Sequence, residues 1–200
     1  MALHEIFENR KIVLASRSPR RRMLLDMIGL SFDIDPANVP EDIPQETKPS
    51  KGAESIAVKK ALATAQRYEN AMVIGADTIV VLDSEILGKP ANKKDAFSML
   101  SKLSGRTHEV FTGFAVVLTH ENKMFSGVER TAVTFRNIRK EEIDGYIATN
   151  NPMDKAGAYG IQDVSAVFVR KIDGCFYNVV GFPLTKFYED CHNFLSKIKE

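Results

Sequence analysis

The chemistry-bearing residues of this chain fall in four short clusters. In the first, Ser16-Arg17-Ser18-Pro19-Arg20-Arg21-Arg22, two hydroxyls precede a proline and four arginines occupy six positions. Guanidinium forks match phosphate oxygens, and the first backbone N–H groups of a helix favour an anion. A solvated basic helix face or a small nucleic-acid patch is the alternative reading. The second is Gly75-Ala76-Asp77-Thr78, at the end of an apolar run. A carboxylate at a strand end can hold a hard cation or orient a water; a turn-capping Asp is the plainer account. The third, Gly88-Lys89-Pro90, offers a point charge beside a residue that permits close backbone approach, or simply an exposed lysine in a turn. The fourth, Asp154 to Gln162, has small residues throughout. It ends on an amide whose paired donor and acceptor suit a base edge, or it is a compact surface loop with its Tyr turned inward.

Other chemistries lack their residues. The chain has no G-x-x-x-x-G-K-[ST] and no G-x-G-x-x-G, so neither a P-loop nor a dinucleotide fingerprint is present. Ser104 and Ser126 lack the G-x-S-x-G elbow. His4, His108, His120 and His192 are scattered without metal-ligand spacing, and His108 reads as structural. Cys175 and Cys191 are too few for a disulfide framework and read as reduced thiols, in keeping with a cytoplasmic protein. Lys plus Arg number 27 and Asp plus Glu 26, so any anion site must come from local clustering. Residues Met1 to Lys11 carry both signs of charge and no apolar core, so no signal peptide is expected. No apolar run is long enough to span a bilayer, and no Asn-x-Ser/Thr sequon occurs.

These clusters must be positioned by regular elements. Ile12–Ala15 reads as a buried strand, followed by a helix over Arg20–Ile28 with Met23, Leu24, Met27 and Ile28 as its apolar face and Gly29 as its stop. Ser31–Asp35 reads as a short strand, and Pro36–Ser50, with four of the eight prolines, as a loop. Ala53–Tyr68 predicts a helix with Ala57, Val58, Ala61, Leu62 and Ala65 facing the core. Ala71–Leu82 and Glu85–Leu87 predict a hairpin turning at Asp83-Ser84, then a helix over Lys94–Leu103. Thr107–Thr119 and Lys123–Phe135 predict an antiparallel pair, Glu141–Thr149 a helix, Ala166–Ile172 and Phe176–Val180 strands, and Leu184–Ile198 the last helix. The order implies an α/β fold with a mixed sheet, in one domain of 200 residues with two lobes and a cleft.

Taken in order, six stretches resemble the Maf family, also called septum formation inhibitor proteins: Leu14-Ala-Ser-Arg-Ser-Pro-Arg-Arg, Ile74-Gly-Ala-Asp-Thr-Ile-Val, Ile86-Leu-Gly-Lys-Pro, Leu103-Ser-Gly-Arg-Thr-His-Glu-Val-Phe-Thr-Gly, Asp154-Lys-Ala-Gly-Ala-Tyr-Gly-Ile-Gln and Asn178-Val-Val-Gly-Phe-Pro-Leu. The resemblance implies a nucleoside-triphosphate pyrophosphatase. It implies an elongated mixed sheet with flanking helices and two lobes around a central cleft, similar to the inosine-triphosphate pyrophosphatase fold. On matched positions, Ser16, Arg20, Arg21, Lys60 and Lys89 would contact the triphosphate, and Lys60 fits the family lysine better than Lys59 because it directly precedes an Ala. Asp77 matches the catalytic base and, with Glu41, the holder of a divalent cation: Mg²⁺, with Mn²⁺ or Co²⁺ as substitutes. Pro40 stands where the family commonly has an Asp, which leaves Asp42 as the alternative to Glu41. Arg20, Thr78 and Gln162 match the branch acting on dTTP and UTP; the 7-methyl-GTP branch tends to carry a Glu in place of Gln162. A homodimer, without membrane or nucleic-acid partners, is implied as well. The alternative is a regulator that binds nucleic acid or a division protein without essential catalysis.

Overall fold

A computed structural model describes residue 7, residues 10–44 and residues 46–199, the last without its side chain. Much of Met1 to Lys11, His4 included, lies outside the described residues. Seven strands form one mixed sheet: β1 Ile12–Leu14, β2 Asp33–Ile34, β3 Met72–Leu82, β4 Glu85–Leu87, β5 Thr107–Leu118, β6 Lys123–Phe135 and β7 Val169–Asp173. Their order is β2-β1-β3-β5-β6-β7, with β4 paired to β3. β1 runs parallel to both β2 and β3, whereas β4 and β7 pair antiparallel with β3 and β6. The helices are α1 Pro19–Met27, α2 Pro49–Ala65, α3 Lys93–Leu103, α4 Lys140–Ala148, α5 Phe176–Val180 and α6 Leu184–Lys199. None of the described helices is long and apolar enough to cross a membrane. The α/β class with a mixed sheet is as expected from the sequence.

The chain divides into two compact units. Unit 1 comprises Met1–Asp77, Thr112–Glu129 and Gly181–Glu200; unit 2 comprises Thr78–Phe111 and Arg130–Val180. Unit 1 has a small-residue core of Val13, Ala15, Ala57, Ala61, Ala65, Ala71, Val73, Ala115 and Val117. An aromatic group supports it: the ring of Phe187 on α6 lies 5.7 Å from Phe114 and 4.9 Å from Phe182. Cys191, on the same helix, is a buried free thiol whose pKa is pushed up by burial and by neighbouring Asp190. The core of unit 2 uses larger side chains, including Leu82, Leu100, Leu103, Val133, Phe135, Tyr146 and Phe168.

The small core of unit 1 lets α2 lie directly on the sheet. A Cβ at Gly75 would come 2.3 Å from Ala57 O and 2.7 Å from Ala61 N, and one at Gly113 would come 2.4 Å from Ala53 O. These are backbone atoms that no rotamer change can move aside. Gly75→Ala is therefore expected to cost about 3 kcal/mol, the range for a core position with no room for another carbon. Equilibrium urea unfolding reads this as a lower midpoint, and a midpoint equal to wild type contradicts the packing. At its far end α2 is tied to the residue that follows β2: Thr64 Oγ1 donates to Asp35 O at 3.0 Å, and Arg67 Nε, just past the helix, to Asp35 Oδ2 at 2.8 Å.

Several local expectations change. Helix α2 begins at Pro49, four residues before Ala53, because Pro suits the first helical turn. Its inward face is Ala53, Ile56, Ala57, Lys60, Ala61 and Thr64, while Leu62 is 42% exposed. In α1 the buried residues are Arg21, Leu24 and Leu25, with Met23 and Met27 in solvent. The expected strand at Phe176–Val180 is the short helix α5, bracketed by Gly174 (φ 124°) and Gly181 (φ 126°). Its Asn178 is buried and donates through Nδ2 to Val110 O and Thr131 Oγ1 at 3.0 and 2.9 Å, which an extended segment would not serve. The expected strand Ala166–Ile172 is split between a 3₁₀ turn over Val164–Phe168 and β7.

Candidate active site

Unit 1 gathers six of the nine residues singled out from the sequence. The parallel pairing of Leu14 with Ile74 sets the end of β1, with Ser16 just beyond it, beside the middle of β3, where Asp77 lies. Alternation along β3 puts Asp77 on the same face as Gly75, the face on which α2 is seated. Lys60 lies one residue before Ala61, which packs on Gly75, and its ammonium thereby reaches Asp77. Lys60 Nζ is 2.7 Å from Asp77 Oδ1 and 2.6 Å from Glu41 Oε1. Asp77 and Lys60 are only 7% and 8% exposed. Glu41, not Asp42, makes this contact, and Lys59, beside Lys60 in the chain, is exposed.

The basic segment is built against the same acids. Ser18 caps α1, accepting from Arg21 N at 3.4 Å, and Pro19 occupies the first turn. Ser16 Oγ accepts from Ser18 N at 3.2 Å and from Arg21 Nη1 at 3.1 Å, so the proton of its own hydroxyl is what it has to give. Arg21 is buried, and its Nε donates to Gly181 O at 3.0 Å. Burial lowers the pKa of its guanidinium and the charge of Arg20 lowers it further, while Asp77 and Glu41 raise it. An arginine keeps its charge through such a shift. A buried carboxylate, a buried ammonium and a buried guanidinium thus act on one another where charge interactions are strong, with the half-exposed carboxylate of Glu41 at their edge. Half-buried Arg20 completes the group.

Two carboxylates without imidazole or thiolate form a hard donor set. It suits Mg²⁺, which commonly takes one or two carboxylates and completes its shell with phosphate oxygens and water. Among the described residues no group of three or more His, Cys, Asp or Glu side chains is placed to hold a metal on its own.

Unit 2 holds the other three. Thr78 follows Asp77 but lies on the opposite face of β3, half-buried. Lys89 is exposed in the turn after β4, and Pro90 beside it is buried. Gly157 N donates to Gly88 O at 3.0 Å, which ties that turn to the Asp154–Gln162 segment. Gln162 is exposed at the end of this segment, while Tyr159 is turned inward. Ala158 adopts φ 60°, a strained value for a residue with a side chain and one that clusters at functional loops.

His108 has a structural place. It is buried, shares a 2.8 Å hydrogen bond between Nε2 and the Tyr159 hydroxyl, and meets the Phe135 ring edge-on at 4.9 Å. Its Nδ1 is buried without a hydrogen-bond partner among the described residues. Burial pushes its pKa down from 6.5 to about 4, so protons bind the unfolded chain first. The stability it contributes is whole above pH 6.5 and is lost as pH falls toward 4. His108→Gln is expected to flatten that part of the pH–stability curve, by on the order of 3 kcal/mol between its ends. Denaturant midpoints at pH 7 and pH 4 read this; an unaltered slope contradicts it.

Sequence reasoning gave no role to Gly181, whose carbonyl holds Arg21, or to Asp163 and Ser165, which anchor the Gln162 turn. The Asp-x-Ser spacing was the available signal for the latter pair, since Asp163 caps the 3₁₀ turn that begins at Val164.

The family described as Maf-like protein matches residues 11–194. A dTTP/UTP pyrophosphatase of Bacillus anthracis is 46% identical over 185 residues, covering 92% of this chain and 96% of the relative. The dTTP/UTP pyrophosphatase of Bacillus mycoides is 46% identical over 189 residues, covering 94% and 98%. The match thus takes in all the clusters from Ser16 to Gln162, and the chain belongs to the Maf family.

Proposed function

We propose that this chain hydrolyses dTTP and UTP to the monophosphate and pyrophosphate. The carrying observation is the Lys60 ammonium held between Asp77 and Glu41, beside the buried Arg21, in a chain 46% identical to dTTP/UTP pyrophosphatases over most of its length. A triphosphate brings several negative charges, and cleavage shifts charge onto the leaving pyrophosphate. Arg20, Arg21, Lys60 and Lys89 neutralise it, and Ser16 donates its hydroxyl proton to a phosphate oxygen. Asp77 takes the proton of the water that attacks the α-phosphorus. When bound, a divalent cation (Mg²⁺, or Mn²⁺ or Co²⁺ in its place), held by Glu41 and Asp77, supplies Lewis-acid stabilisation of the phosphate oxygens. Gln162 reads the base, since an amide offers both a donor and an acceptor to a uracil or thymine edge, with Thr78 and Arg20 as the other branch-specific contacts. A homodimer in the cytoplasm goes with this reading.

A turnover screen over common and modified triphosphates, with products resolved by chromatography, tests it. The expected result is monophosphate plus pyrophosphate, with dTTP and UTP leading and with loss of turnover on chelation. Absence of turnover, or a preference for purine nucleotides, overturns it.

A further inference from the structure

The turn that presents Gln162 is organised around one carboxylate, and we infer that Asp163, with Ser165 as its partner, is the positioning residue for base recognition. This rests on the pyrimidine-nucleotide reading above and adds to it the device that fixes the reader. Asp163 N donates to Gly160 O at 3.1 Å, which closes a turn over Ile161 and Gln162. Ile161 is buried and Gln162 exposed, so one residue roots the turn and the next faces outward.

The carboxylate of Asp163 collects donors from three directions. Oδ1 accepts from Ser165 N at 2.8 Å and lies 2.7 Å from Ser165 Oγ; Oδ2 accepts from the Tyr146 hydroxyl at 3.0 Å and lies 3.7 Å from Lys155 Nζ. Ser165 Oγ in turn accepts from Gly160 N at 3.0 Å. Gly160 O is 2.9 Å from the same hydroxyl, but its single proton is better given to the nearer, charged oxygen. Both ends of the turn are thereby fastened to one serine and one carboxylate. Gly160 lies close against the same side chains: a Cβ there would meet Lys155 Cε at 2.7 Å and Asp163 Oδ2 at 2.8 Å.

Asparagine is a poor substitute for this aspartate. Its oxygen could still accept from Ser165, but its amide nitrogen would face the Lys155 ammonium, which only donates, and would force the Tyr146 hydroxyl to turn from donor to acceptor. The turn would loosen, and Gln162 would lose its fixed direction while the phosphate-binding residues are untouched. A site that reads a base by hydrogen bonds is sensitive to such slack.

The test is a steady-state comparison of wild type, Asp163→Asn and the milder Ser165→Ala, with tripolyphosphate as a competitive inhibitor that has no base. The expected result is a KM for dTTP and UTP raised about tenfold in Asp163→Asn and about threefold in Ser165→Ala, with kcat held within about twofold. The inhibition constant of tripolyphosphate stays at its wild-type value. Should Asp163→Asn not fold, Ser165→Ala decides the matter. Unchanged KM in the folded variants, or KM and the tripolyphosphate constant rising together, overturns the positioning role. Wild-type protein that hydrolyses neither dTTP nor UTP removes the underlying reading and this role with it, a result visible before any variant is measured.

Discussion

Asp77→Asn is expected to lower turnover of dTTP and UTP by about three orders of magnitude while nucleotide still binds. The substitution keeps the shape of the side chain and leaves an oxygen to accept from Lys60, whose Nζ stands 2.7 Å from Oδ1. What it removes is a negative charge able to take a proton and to hold a cation. Loss of a positioned general base typically costs 10²–10⁴-fold. Asp77 is assigned both tasks, which places the effect above the lower end of that range. The basic side chains that meet the triphosphate are unaltered, so calorimetric titration with dTTP should give a dissociation constant near that of wild type. Turnover within tenfold of wild type would assign the base to another group.

Lys60→Met is expected to have the second-largest effect, acting on folding and on catalysis together. The ammonium sits between two carboxylates, and removing it leaves Asp77 buried beside Glu41 with its charge uncompensated on that side. Breaking a buried pair from one side typically costs 3–5 kcal/mol. The Glu41 side chain is about half exposed and water screens its share, so about 3 kcal/mol is expected. Loss of a preorganised cation from the phosphate site should lower kcat/KM by about 10²- to 10³-fold. A double-mutant cycle with Glu41→Gln separates the two effects, since removing the second acid relieves like-charge repulsion and should return part of the stability but none of the activity. Stability losses that simply add would show that Lys60 and Glu41 are not coupled.

The sheet and most helices were legible because they follow simple periodicities and clear stops. Gly29, at φ 76°, ends α1, and Asp83-Ser84, both at positive φ, turn β3 into β4. The helix faces were harder. Hydrophobic counting favoured Met23 and Met27 on α1 and Leu62 on α2, yet the inward positions include Arg21 and Lys60. A cation at an inward helical position scores against burial in any apolar count. Here its partners, Ser16 and Gly181 for Arg21, Glu41 and Asp77 for Lys60, come from other segments and are invisible in the local pattern. The same register, read with charge included, marks these two residues as part of the site. The segment at Phe176–Val180 failed for a related reason. Its apolar, β-branched composition reads as a strand, and only the buried hydrogen bonds of Asn178 and the glycines on either side make it a helix.

Of the site itself, the acids and the first basic cluster were legible as types but not as a group. Nothing in the spacing of Glu41, Lys60 and Asp77 shows that one ammonium serves both carboxylates. That follows from the glycine at position 75, which brings α2 down onto β3.

Hydrolysis of dTTP in water enriched in ¹⁸O, with the products separated and weighed by mass spectrometry, tests the central claim most directly. Attack at the α-phosphorus predicts thymidine monophosphate carrying one ¹⁸O together with unlabelled pyrophosphate. Thymidine diphosphate with labelled phosphate, or a label found in pyrophosphate, would contradict it.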